Sequence, residues 1–160
     1  MPERYSSHRL RIGRFCEQNR IYLLTANTLH REPVFKNHDL GRLVANQFQR
    51  AQTEGLADTL AWVVMPDHFH WLVQLQNGTL GQLMCQTKSL STRAINVASG
   101  RTGSLWQQGF HDRALRQEES LVQMARYVVA NPLRAGLVQK LDDYSLWDAI
   151  WVSRTLPPPS

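Results

Sequence analysis

Leu60-Ala61-Trp62-Val63-Val64-Met65-Pro66-Asp67-His68-Phe69-His70-Trp71-Leu72-Val73-Gln74-Leu75 is the stretch on which the fold turns. Two runs rich in β-branched, aromatic and aliphatic residues flank Pro66-Asp67. Each run has the length and composition of a strand. Their closeness predicts an antiparallel hairpin. The proline belongs in the turn, because it has no N–H to give a ladder. Side chains two apart on a strand share a face. His68 and His70 therefore project together, and Phe69 points the other way, into a core.

Working outward, Ile21 to Thr28 is apolar and β-branched enough for a buried strand. Asn37 or Asp39 can cap a helix running to about Thr53, with Leu40, Leu43, Val44, Gln47 and Phe48 at helical spacing, and Gly55 ends it. Asn77-Gly78 marks a turn. A long helix then fits from Leu80 to Val97, its apolar stripe formed by Leu83, Met84, Thr87, Leu90, Ala94 and Val97. Leu105 to His111 reads as a fourth strand, broken by Gly109. A further helix begins after Arg116, with Glu118 and Glu119 suiting its positive end. It passes through Leu121, Met124, Ala125 and Val128 and ends near Asn131, ahead of Pro132. A last short helix holds Tyr144, Leu146, Trp147 and Ile150. Strands interleaved with helices in this order imply an α+β fold, an antiparallel sheet of four to five strands flanked by helices.

The chain has 160 residues, the size of one domain, and 42% hydrophobic residues, enough to build a core. Residues 1–150 are expected to form that domain, with a basic N-terminal segment, and 151–160 a short proline-rich tail. Two cysteines, Cys16 and Cys85, exclude a disulfide framework and a Cys-rich zinc module and suit a reducing compartment. No apolar run is long enough to span a membrane, and Met1 to His8 lacks the apolar core of a secretory signal. The net charge is +5, from 18 Lys and Arg against 13 Asp and Glu. Arginines 4, 9, 11, 14 and 20 crowd the first twenty residues, and lysine occurs only at 36, 88 and 140. An arginine-dominated excess favours a polyanionic partner, because the guanidinium fork matches phosphate oxygens.

Three groups of residues could carry chemistry. His68 and His70 can share one metal ion, with Asp67 available to hold a ligating ring; the plain alternative is a pair of partly exposed strand histidines. Tyr127 and Asn131, four apart, place a phenol and an amide on one helix face. A phenol with a free pKa of about 10 needs help to act as a nucleophile, and a nearby divalent cation gives it. Asn131 could then be a third ligand, with Gln123, one turn earlier, as its competitor; the alternative is an ordinary amphipathic helix. Trp106 to Arg113 mixes aromatics, a glycine, an imidazole and an arginine, which suits a nucleic-acid strand or, equally, core aromatics flanked by surface groups.

Trp62 to Val73 resembles the signature of the HUH single-tyrosine transposases. Trp106 to Arg116, Tyr127-Val128-Val129-Ala130-Asn131-Pro132-Leu133-Arg134-Ala135-Gly136-Leu137-Val138, and Asn27 to Phe35 resemble the branch associated with bacterial repetitive extragenic palindromes (REPs). The similarity covers about residues 9–150. It implies a ferredoxin-like HUH palm with the nucleophilic tyrosine on a C-terminal helix. It also implies a divalent metal, Mg2+ or Mn2+, held by His68, His70 and Asn131, where insertion-sequence relatives generally carry glutamine. Tyr127 would attack single-stranded DNA, form a 5′-phosphotyrosine and free a 3′-hydroxyl, with no nucleotide cofactor. The partner would be hairpin DNA with an unpaired foot, met in the bacterial cytoplasm at the nucleoid by a monomer. Arg9, Arg11, Arg14, Lys88, Arg93, Arg113 and Arg134 are candidate DNA contacts, and His111 is a candidate acceptor of the tyrosine proton. The competing readings are a hairpin-binding protein in which cleavage is lost or secondary, and a metallohydrolase built on the two histidines.

Overall fold

A computed structural model describes residues 20–116 and 120–150. The paired apolar runs form the hairpin at its centre. β2 (Ala57–Met65) and β3 (His68–Leu75) pair antiparallel, Met65 opposite His68 and Val63 opposite His70, across the two-residue turn Pro66-Asp67. A register shift between Thr59 and Ala61 interrupts the ladder once. β1 (Ile21–Asn27) lies on the other side of β3, and β4 (His111–Ala114) and β5 (Trp147–Ala149) form the edges. The order is β4-β1-β3-β2-β5, every neighbouring pair antiparallel. This is the expected α+β arrangement, at the five-strand end of the range.

Two helices cover one face of the sheet. Helix α1 (His38–Thr53) starts at Asn37, whose side-chain oxygen accepts from the backbone N–H groups of Asp39 and Leu40. Helix α2 (Leu80–Ser99) opens with a reciprocal cap: Thr79 accepts from Gln82 N–H, and the Gln82 side chain accepts from Thr79 N–H. It closes on Gly100, which takes the left-handed φ of 76° that an α-helix exit favours. The core between them and the sheet is aromatic. Phe48 stacks on Trp71 at 4.5 Å and meets Phe69 edge-on at 5.0 Å, while Trp106 lies against both Phe69 and Phe35. The buried indole donors are satisfied, Trp71 Nε1 by Thr59 Oγ1 and Trp106 Nε1 by Ser91 Oγ.

Helix α3 (Leu121–Val129), capped by Ser120, lies on the opposite face against β2, β3 and β5, burying Ala125, Val128 and Val129. A four-residue helix α4 (Asn131–Arg134) follows, with Pro132 in its first turn, where a missing N–H is no loss.

Four sequence expectations are corrected. The fourth strand is His111–Ala114 rather than Leu105–His111: Gly109 takes φ 83°, and Trp106 turns into the core, leaving one isolated bridge to Thr28. The last short helix is a 3-10 turn at Leu141–Asp143 followed by the edge strand β5, because the free edge of β2 offers backbone partners there. The buried stripe of α2 turns through Ser91 and Ile95, and Val97 is left 82% exposed. The helix expected to end near Asn131 stops at Val129 and restarts as α4. Phe48 is 1% exposed at the centre of the aromatic cluster. Phe48→Ala should therefore lower stability by about 3–5 kcal/mol, read as a drop in the urea midpoint at unchanged slope.

Candidate functional site

The face of the sheet turned away from the aromatic core carries the histidines. The β3 alternation sends Phe69 and Trp71, both fully buried, to the core and His68 and His70 to the α3 side. Cross-strand partners extend this face: Thr25 of β1 sits opposite both His70 and His111, and Leu23 opposite Arg113. The two imidazoles lie edge to face with centroids 4.9 Å apart.

Each ring is held at the same atom. His70 Nδ1 is 2.8 Å from Thr25 Oγ1, and His68 Nδ1 is 2.7 Å from Asp67 Oδ1. With both Nδ1 atoms engaged, Nε2 is the position each ring offers a ligand. Burial first, then the nearby charges of His68 and Arg134, push the His70 pKa down to about 4, so the ring is neutral at physiological pH, as a metal ligand must be. Burial would raise the Asp67 carboxyl, but hydrogen bonds from His68 and Arg31 outweigh it and hold the group below its ordinary range. The two imidazoles are a donor pair of the kind a divalent cation accepts, and among the described residues no cluster of three or more His, Cys, Asp or Glu side chains accompanies them.

The nucleophile candidate faces the same space. Leu23, His70, Arg113, Ser120, Gln123, Met124 and Tyr127 line one open cavity of about 700 Å3. Tyr127 is 58% exposed, whereas Tyr22 and Tyr144, the other tyrosines among the described residues, are 1% and 4% exposed. Tyr144 donates its hydroxyl to Val64 O at 2.6 Å, and burial raises its pKa to about 12, so it is spent on structure. The Arg134 guanidinium lies 3.9 Å from the Tyr127 ring centroid, a cation–π contact.

His68, His70, Tyr127, Arg113 and Arg134 thus come together, and His111 shares their face of the sheet through its pairing with Thr25. Asn131 does not line the cavity. Its amide nitrogen donates to Val128 O at 2.7 Å, while Gln123 does line the cavity. Lys88 is turned to the main chain. Its ammonium donates to the carbonyls of Gln107 and Gly109, pinning the loop before β4, and burial pulls its pKa down to about 8. Arg93 is exposed but sits on α2, behind the sheet relative to the histidines. Arg9, Arg11 and Arg14 lie outside the described residues.

Two supporting residues had no readable signal. Thr25 reaches His70 only through the strand register. Arg31, whose Nε donates to Asp67 Oδ2 at 3.0 Å, follows His30 in a turn where both take left-handed backbone, φ 57° and 55°. Such conformations cost non-glycine residues roughly 1–2 kcal/mol each.

The family model "Transposase IS200 like" matches residues 16–131 of this chain. The chain belongs to the IS200-like transposase family. Among curated proteins, it is 26% identical over 98 residues to a candidate REP-associated tyrosine transposase of Haemophilus influenzae, covering 54% of this chain and 56% of that protein. It is 27% identical over 86 residues to a REP-associated tyrosine transposase of Escherichia coli K12, covering 52% and 49%. The matched stretches thus span about half the length of these relatives. Among solved structures, a REP-associated tyrosine transposase bound to a REP hairpin superposes with a TM-score of 0.69 at 20% identity, covering 84% of this chain and 79% of that one. A candidate transposase from Deinococcus radiodurans gives 0.51 at 20% identity, covering 68% and 87%. These structural likenesses establish the same fold. No helix among the described residues is long and apolar enough to cross a membrane.

The depressed His70 pKa has a consequence for stability. Its folded value of about 4 lies below the ordinary 6.5, so the unfolded chain takes up the proton first as pH falls. The contribution is complete above pH 6.5 and is lost progressively down to about pH 4. The loss should be about 2–3 kcal/mol, allowing for partial solvent access. Urea unfolding of the metal-free protein across this range, compared with His70→Gln, should give a flatter profile for the variant; parallel profiles would contradict this origin.

Proposed function

We propose that this chain is a metal-dependent single-stranded DNA transesterase, cleaving and rejoining DNA at hairpins formed by palindromic repeats through a 5′-phosphotyrosine. The observation that carries the reading is that the accessible Tyr127 shares a cavity with His70, beside His68. The REP hairpin held by the structurally similar transposase supports hairpin DNA as the substrate class.

The metal would be held by His68 and His70 through Nε2, with an amide oxygen from Asn131, as the family resemblance implies, or from Gln123. Mg2+ and Mn2+ both fit such a mixed nitrogen and oxygen set, the nitrogens favouring Mn2+ and cellular abundance Mg2+. When bound, the cation supplies Lewis-acid stabilisation of charge gathering on the phosphate oxygens.

The chain's own groups do the rest. Tyr127 Oη gives up its proton and attacks phosphorus. The new bond joins tyrosine oxygen to the 5′-phosphate, the bond to the 3′-oxygen breaks, and that oxygen leaves as a hydroxyl once protonated. The ester keeps the energy of the broken linkage, so a 3′-hydroxyl can reverse the step without a nucleotide cofactor. Arg113 and Arg134 flank the tyrosine and suit the phosphates on either side. His111, on the same face, is the side chain we assign to receive the tyrosine proton. His70 and Tyr127 of one chain line one cavity, with His68 against His70, so we read the catalytic unit as a monomer. DNA as substrate makes the bacterial cytoplasm, at the nucleoid, the expected place of action.

The test uses labelled hairpin DNA with a single-stranded foot, incubated with protein and Mn2+. An adduct that survives denaturation and disappears in Tyr127→Phe is expected. Tight binding with no cleavage would select a hairpin-binding protein, and multiple-turnover cleavage surviving Tyr127→Phe a metallohydrolase. His68→Ala should abolish the adduct, a loss of at least a hundredfold, while hairpin affinity measured without metal changes less than twofold. Wild-type cleavage rates in His68→Ala would refute the ligand assignment.

A further inference from the structure

We infer that Arg31 is a positioning residue for the metal site, locking the Asp67 carboxylate so that His68 keeps one ring orientation. The inference rests on the reading of His68 as a metal ligand given above. Asp67 uses both oxygens: Oδ1 meets His68 Nδ1 at 2.7 Å, and Oδ2 accepts from Arg31 Nε at 3.0 Å. With one partner a carboxylate can turn about its own axis; with two on opposite oxygens it cannot turn without breaking a charge-assisted bond.

The backbone around Arg31 is built for this contact. His30 and Arg31 are the only non-glycine residues with positive φ among those described, and they are consecutive. Unfavourable backbone persists only where its surroundings over-determine it, and here they do. Thr28, fully buried, sends its N–H to Asp67 O at 2.9 Å and its hydroxyl to Glu32 O at 2.8 Å. Arg31 N–H returns to Thr28 O at 3.0 Å. Glu32 is gripped by both terminal nitrogens of Arg101, at 2.7 and 3.1 Å. The strained turn is thereby tied to the β2–β3 turn through the Asp67 main chain and to the end of α2 through Arg101, and the side chain it presents meets Asp67.

The competing view is an ordinary surface ion pair, since the Arg31 side chain is 54% exposed and such pairs contribute little. Metal affinity separates the two. Removing a group that directly holds a ligating histidine typically weakens metal binding about 10–100-fold, and Arg31 stands one bond further out. In titrations of the DNA-free protein with Mn2+, followed by calorimetry or by the electron spin resonance of free Mn2+, Arg31→Ala should raise the dissociation constant about five- to tenfold. Arg31→Lys, which keeps the charge, should recover about half of that loss. Arg101→Ala, which frees the turn, should weaken Mn2+ in the same direction, and the double variant should be no worse than Arg31→Ala alone, because both act along one chain of contacts.

A readout without metal completes the test. The His68 Nδ1 proton should be visible by NMR in the wild type and should broaden or vanish in Arg31→Ala. Unchanged Mn2+ affinity and an unchanged ring proton in Arg31→Ala, with the wild type binding Mn2+, would overturn this inference alone. A wild type that binds no Mn2+ would overturn the metal reading and this inference with it. Should Arg31→Ala fail to fold, Arg31→Lys and Arg31→Gln carry the comparison.

Discussion

The twofold period of β3 is the constraint on which the molecule rests. Phe69 and Trp71 face Phe48 and Trp106 in the core, while His68 and His70 face the tyrosine helix, and one backbone serves both. β3 is paired on both sides, to β1 and to β2, so its position does not depend on a loop. A slip of one residue would exchange the faces. It would bury two imidazoles among aromatic rings and expose Phe69 and Trp71. The aromatic core therefore holds the site in register.

What was readable in the sequence followed from how local the controlling signal is. The β2–β3 hairpin, the α1 cap, settled at Asn37 of the two candidates Asn37 and Asp39, and the start of α2 at Leu80 are each decided by residues within a few positions. The misreadings share the opposite property. β5 exists because β2 has an unpaired edge, which nothing in Trp147-Asp148-Ala149 announces. Val97 looks like core by spacing, but Ser91 sits under Trp106 and accepts its indole N–H, turning the buried stripe towards Ile95. The contact of Lys88 with the carbonyls of Gln107 and Gly109, 19 and 21 residues away, is equally non-local.

The site was legible to the same extent. His68 and His70 could be paired from alternation alone. Their supports could not be found that way. Thr25 is 45 residues from His70 and reaches it only through the β1–β3 register. Arg31 carries no mark of its left-handed backbone, because arginine is not a residue that seeks it. The fold separates Tyr127 from Tyr144 on physical grounds: the first is accessible, and the second gives its hydroxyl to a main-chain carbonyl.

The break between α3 and α4 bears on how the tyrosine is presented. On one continuous helix, residues seven apart lie about 10 Å apart along the axis. Tyr127 and Arg134 are seven apart, yet the guanidinium lies 3.9 Å from the ring centroid. The arginine side chain covers the difference, leaning back towards the N-terminus past Ala130, where ψ is 0° and α3 passes into α4, with Pro132 seated in the first turn of α4. The Arg134 charge is also close enough to help keep His70 neutral. An Asn-Pro pair following a tyrosine helix thus does more than end it. The arginine two residues beyond the proline lies over the ring and acts on the imidazole, so one arginine borders both halves of the site.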